Sequence, residues 1–185
     1  MRLEREKSLL LVIDIQKRLC DAISDSAGQI ELDMMLKNTN ILLNGCDILG
    51  IPIIESLQYV RGLGSSVIDS EASRITFEKR TFSVIYDKSP LCEYLAINPH
   101  IETIIIAGME SHICVLQSSR DLLEAKRRVI IASDCVISRN LQNKLNALDF
   151  IRSCGGVILN TESILFDLLQ TSESPHFKAI STLIK

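Results

Sequence analysis

The sequence predicts an α/β fold, a three-layer α/β/α sandwich on a mainly parallel six-stranded sheet. Three observations predict it. Short strand-like runs alternate along the chain with longer segments of helical spacing. The clearest runs, Leu9 to Ile13 and Ile104 to Ala107, are apolar throughout, as strands buried on both faces are. The chain has 185 residues, 46% hydrophobic and 23% charged, which suits a single domain over 1–185 with a proper core.

Taken in order, Ser8 to Ile13 reads as a buried strand that ends at Asp14. Ile30 to Leu49 carries Leu32, Met35, Leu36, Leu42, Leu43 and Leu49 at broadly helical spacing, and Gly50 stops it. Pro52 to Leu57 is a second strand, and Gly62 to Ser66 marks a loop. Arg74 to Lys79 is a short third strand. Leu91 to Ile97 is helical and runs into Asn98-Pro99. Thr103 to Ala107 is the fourth strand.

Cys114 to Ala125 reads as a helix with Leu116, Leu122 and Leu123 on its apolar face. Val129 to Ser133 is the fifth strand. Asn140 to Cys154 is a helix closed by Gly155-Gly156. Val157 to Asn160 is the last strand and Glu162 to Leu169 the last helix, with a polar loop over Thr171 to Ser174. In such sheets ligands bind at the carboxyl ends of the strands. Asp14, Lys79 and Cys114 all follow or end strands, so the topology sends them to one edge.

Composition narrows the function. A net charge of −3 gives no electrostatic reason for a nucleic-acid or membrane partner. No apolar run approaches the roughly 20 residues that span a bilayer. Leu9 to Ile13 is too short for a signal-peptide core. The expectation is a cytoplasmic protein with a small-molecule substrate. The six cysteines form no CxxC pair, and the three histidines form no HxxxH cluster. No metal is expected, and with neither GxGxxG after a strand nor GxxxxGK(S/T), no cofactor.

Cys114 carries the chemistry. It follows a strand, a glycine and a short polar turn, and it opens a helical segment. A helix N-terminus offers unpaired N–H groups and a positive dipole end, which favour a reactive thiolate. Blander roles stand beside this one. Asp14 serves equally as a cap for the loop after its strand, Lys79 as a solvated lysine, and Cys114 as an inert buried thiol. His112 reads as a structural or pocket-edge residue. Phe82 reads as pocket or core.

Three blocks bring the chain to a known family. Leu11-Val12-Ile13-Asp14-Ile15-Gln16 resembles an apolar-D-x-Q signature. Phe77 to Ser83 resembles a K-x-x-F-S block. Gly108 to Val115 resembles G-x-x-T/S-x-x-C-V. Ala132 to Arg139 adds a likeness to A-D-A-x-x-S-R. Together they resemble the isochorismatase-like cysteine hydrolase superfamily, a Rossmann-like α/β fold, from about residue 8 to about residue 170.

The resemblance implies a catalytic triad of Asp14, Lys79 and Cys114. It implies a cis peptide at Met109-Glu110 and an oxyanion hole from the backbone N–H groups of Glu110 and Cys114. Pocket candidates are Gln16, Gln58, Tyr59, Phe82 and His112. It also implies a homo-oligomer. Metal-binding members carry an aspartate and two histidines after strand two, and Glu55 to Gly64 has no histidine. That segment is instead similar to E-Q-Y-P-x-G-L-G of a metal-free branch of isochorismatase domain-containing proteins. Leu57 stands where that branch has glutamate and Val60 where it has proline.

The expected activity is cysteine-dependent cleavage of a small amide through a thioester acyl-enzyme. The alternatives are an isochorismatase-type vinyl-ether hydrolase and a non-catalytic or redox-sensing protein on the same fold.

Overall fold

The computed structural model describes residues 2–185. Strands β1 (Ser8–Ile13), β2 (Ile53–Gln58), β3 (Ile75–Lys79), β4 (Thr103–Met109), β5 (Arg128–Ile137) and β6 (Val157–Leu159) form one sheet. Its order is β3-β2-β1-β4-β5-β6, and every described pairing is parallel. The expected α/β sandwich is therefore present. The chain winds outward from β1 in one direction and from β4 in the other. The β1/β4 boundary is the switch point, where neighbouring connections part and leave a crevice.

Helices α1 (Lys17–Ala27), α2 (Gln29–Ile48), α7 (Thr161–Leu169) and α8 (Phe177–Leu183) contribute to the core on one face. Helices α4 (Pro90–Ile97), α5 (Leu116–Glu124) and α6 (Leu141–Ser153) contribute to the core on the other. A one-turn helix, α3 (Val60–Leu63), follows β2. Alternation along β1 divides the two cores. Leu10 and Val12 join the first; Leu9, Leu11 and Ile13 join the second. Burying each such side chain contributes about 1.5–3 kcal/mol. No described helix is long and apolar enough to cross a membrane.

The structure departs from the sequence reading in five places, one being α3, whose last two residues fall in the segment read as a loop. Helix α1 is absent from that reading, although Leu19, Cys20, Ile23 and Ala27 sit at helical spacing before Gly28. Helix α8 is also absent from it; Ile180 anchors this short helix beneath the first core. Strand β5 runs past Ser133 to Ile137 because a bulge between Ile106 and Gly108 lets Val136 and Ile137 pair with Gly108 and Met109. The segment read as one helix from Cys114 divides into a π-helical turn, Ser111–Val115, and α5.

Gly108 shows how tightly the switch point closes. It pairs with Ile13 at φ +129°, and a Cβ there would lie 2.0 Å from the Ile13 carbonyl oxygen. No side chain fits that approach or readily adopts that φ. Gly108→Ala is expected to lower unfolding free energy by about 3 kcal/mol or more. Urea denaturation of the two proteins measures it, and a loss below about 1 kcal/mol contradicts the tight approach.

Candidate active site

β1 ends in a left-handed residue, Asp14, at φ 54°. Aspartate is among the few non-glycine residues that accept this conformation. Its backbone N–H donates to the Ser56 carbonyl (2.9 Å), which ties it to β2. Its carboxylate accepts from the Ser56 hydroxyl at Oδ1 (2.9 Å) and from Lys79 Nζ at Oδ2 (2.7 Å). Lys79 is the last residue of β3, opposite Gln58 in the register. The Lys79 and Asp14 side chains are both 0% exposed.

Lys79 has no freedom to swing away. Its Nζ also donates to Gln58 Oε1 (2.8 Å) and to the carbonyls of Phe82 (3.1 Å) and Thr81 (3.2 Å). A buried ammonium needs such acceptors to offset its lost hydration. The chain after β3 therefore turns back over the lysine and delivers two backbone oxygens to it.

Cys114 completes the group from the other side of the switch point. It lies in the π turn, where the N–H groups of Ile113 (3.0 Å) and Val115 (3.3 Å) both donate to the Glu110 carbonyl. Such turns are rare and occur most often at functional sites. The peptide Met109-Glu110 is cis. The Cys114 thiol is 6% exposed. Burial pushes it up to about 12, with the Asp14 charge adding to the rise and the Lys79 charge opposing it.

Burial and the Asp14 charge thus work on Cys114 against the helix end and the nearby lysine. Burial also raises the Asp14 carboxyl above its usual range, against the opposing pull of Lys79. A raised carboxylate is a stronger base.

The pocket candidates divide. Gln16 is fully buried and braces the structure. Its amide accepts from the Gln58 N–H (2.7 Å) and donates to the carbonyls of Gln58 (3.0 Å) and Gly64 (2.6 Å). Gln58 holds Lys79 with its amide oxygen and donates from its amide nitrogen to the Arg80 carbonyl (2.9 Å). Tyr59 stacks under Arg80, 4.1 Å from ring centroid to guanidinium carbon. Phe82 is 54% exposed, so it is no part of the core. His112 Nδ1 meets the Ser138 hydroxyl at 3.0 Å.

Sequence reasoning missed Ser56, the second partner of Asp14. The signal was a polar pair, Glu55-Ser56, interrupting an apolar strand. It also gave Glu110 only a backbone role. The Glu110 side chain is buried and holds Arg139, accepting from Nε at 3.1 Å and from the backbone N–H at 2.9 Å. The ends of β4 and β5 are thereby tied together. Among the described residues no group of three or more His, Cys, Asp or Glu side chains is placed to hold a metal ion.

A doubly wound parallel sheet with a buried aspartate, lysine and cysteine at its switch point defines a class of α/β protein. The isochorismatase domain family model matches residues 8–163, and the chain belongs to that family. Isochorismatase domain-containing protein 1 of Salmo salar is 36% identical over 174 residues, covering 93% of this chain and 59% of that protein. The chain thus spans about three fifths of the fish relatives' length. A secreted isochorismatase effector, Isc1 of Phytophthora sojae, is 32% identical, covering 100% of this chain and 87% of its own. Among solved structures, the Caenorhabditis elegans MAR1 ribonuclease superposes with TM-score 0.87 at 28% identity, covering 100% of this chain and 92% of its own.

The electrostatics generate a signed prediction. Asp14 raises the Cys114 thiol, so removing its charge lowers it. Asp14→Asn is expected to move the pH midpoint of Cys114 alkylation by iodoacetamide down by about one unit or more. Alkylation of this cysteine near neutral pH then becomes faster than in the wild type. Mass spectrometry of the Cys114 peptide across pH 6–10 reads the rising limb of each curve, and an Asp14→Asn limb that is unshifted or lies at higher pH than the wild type's contradicts the assignment.

Proposed function

We propose that this chain is a cysteine-dependent hydrolase that cleaves the C–N bond of a small amide through a thioester acyl-enzyme. The observation that carries the reading is the buried Lys79–Asp14 contact of 2.7 Å with Cys114 beside it. An ion pair removed from water is costly to keep, and a base, a fixed cation and a thiol are what acyl transfer requires.

In this mechanism Cys114 Sγ attacks the amide carbon while Asp14 takes the thiol proton. The raised carboxyl of Asp14 suits that transfer, because it narrows the gap between base and thiol. The N–H groups of Glu110 and Cys114 receive the oxyanion. The tetrahedral intermediate collapses, the C–N bond breaks, and Asp14 returns its proton to the leaving amine. Water then attacks the thioester with Asp14 as base. The C–S bond breaks, and sulfur recovers the proton. Lys79 keeps its place throughout, held by its four acceptors.

The burial of all three side chains supports a small substrate. A polynucleotide, the substrate class suggested by the name of the nematode ribonuclease, requires an open groove and phosphate-binding cations. A net charge of −3 supports the small molecule as well. A thiol held at about 12 is a poor redox sensor near neutral pH. The exposed apolar side chains Ile75 on β3 and Ile97 on α4 support assembly into a homo-oligomer.

Ammonia release from a panel of small primary amides tests the reading in wild type, Cys114→Ala and Lys79→Met. Turnover of at least one amide is expected, with a loss of about 10³-fold or more in Cys114→Ala. Trapping of a mass adduct on Cys114 accompanies it. A Cys114→Ala protein that hydrolyses a vinyl ether as well as the wild type does, with no amide turned over by either, overturns the cysteine mechanism.

A further inference from the structure

A cavity of about 660 Å³ lies at the same edge of the sheet, between α2 and the junction of β5 with α6. That volume falls within the range of small-molecule sites. Its walls are largely apolar, with Ala27, Met34, Met35, Val136, Ile137 and Leu141. None of the proposed catalytic side chains lines it.

The polar groups around it are mostly committed elsewhere. Asp134 accepts from the Thr161 N–H (2.9 Å) and hydroxyl (2.9 Å). Asn140 caps α6 by accepting from the Gln142 N–H (2.8 Å). Asn38 donates to the Asp134 carbonyl at 3.5 Å, and Glu31 is exposed. Ser138 is held by His112 and Arg139 by Glu110. Two charged side chains are left over, Glu31 at the exposed rim and Lys144. Lys144 lines the cavity and is half-buried, and its ammonium makes no hydrogen bond or ion pair among the described residues. Burial lowers it from its ordinary value, and Asp134 only partly opposes that. An ammonium in such a place lacks a counter-ion.

We propose that this cavity is a second binding site, for a small carboxylate with an apolar body. The carboxylate pairs with Lys144, and the body fills the space between Met34, Met35 and Ile137. The site reports to the nucleophile. Ser138 and Arg139 line the cavity, and each also grips the turn that carries Cys114, through His112 and Glu110. A ligand that shifts either residue moves the turn.

Benzoate is the probe, and benzyl alcohol is its uncharged counterpart. Each is titrated into the full chain and followed by backbone amide NMR, with Cys114 alkylation read in parallel. Saturable benzoate binding is expected, with shifts on Met34 to Asn38 and Ser138 to Lys144. Lys144→Met weakens benzoate by about tenfold and leaves benzyl alcohol unchanged. It also leaves ligand-free Cys114 alkylation unchanged. Met34→Trp, made at an exposed position, narrows the mouth and weakens both probes; it decides the matter if Lys144→Met fails to fold. Cys114→Ala binds benzoate as the wild type does, and benzoate changes wild-type alkylation by about twofold or more.

Benzoate binding that is lost in Cys114→Ala overturns the proposal, since the ligand then occupies the catalytic site. Binding that ignores Lys144→Met and Met34→Trp overturns it too. So does the absence of saturable binding, including the case where sedimentation shows a second copy seated there that Leu141→Glu releases. Binding with unchanged alkylation overturns the link to the nucleophile.

Discussion

Everything at the carboxyl edge of the sheet is arranged around one buried ion pair, Lys79 with Asp14. Removing either partner from such a pair costs about 3–5 kcal/mol, because the other is left charged and dry. Keeping both is tolerable only if every remaining hydrogen-bonding site is filled. Ser56 and Lys79 fill the carboxylate; Asp14, Gln58, Thr81 and Phe82 fill the ammonium. These groups come from the ends of three adjacent strands and from the loop after β3. The pair therefore dictates how β1, β2 and β3 end. A buried pair adds little net stability over apolar packing, so its retention points to chemistry.

The same dryness sets the protonation of the site. Water screens charges poorly here, so Asp14 and Cys114 feel each other strongly. Burial lifts both acids. The thiol rises to about 12, and the carboxyl also rises, against the pull of Lys79. Desolvation, more than either neighbouring charge, therefore sets how firmly each group holds its proton.

The sheet was legible in the sequence because its central strands carry apolar runs on both faces. The runs around Leu10, Ile54, Ile105, Ile130 and Ile158 needed no partner to be recognised. The three central side chains were legible as residue types after strands, and the fold brings them together. What was not legible depended on contacts between distant segments. Gln16 looks like a pocket residue in a D-x-Q signature, and only the folded loop shows its amide consumed by backbone. The thiol's elevation depends on burial that no local pattern encodes. The far end of β5 was hidden because Ser133-Asp134 breaks its apolar run, and Asp134 faces Thr161 of α7 rather than the sheet. Helix α1 was a different kind of miss, since its spacing was present and was passed over.

Gln16 grips position 58 through its backbone alone, while the Gln58 side chain holds Lys79. The loop's anchorage is therefore indifferent to which amino acid occupies position 58. That separates two kinds of inheritance. Gln16 is bound by the geometry of its amide and has no equivalent substitute. Position 58 can change without loosening the loop, but only a side chain that still accepts a hydrogen bond keeps the buried ammonium satisfied. Divergence among descendants of this fold can thus run through one side chain, adjusting reactivity in small heritable steps while the architecture stays put.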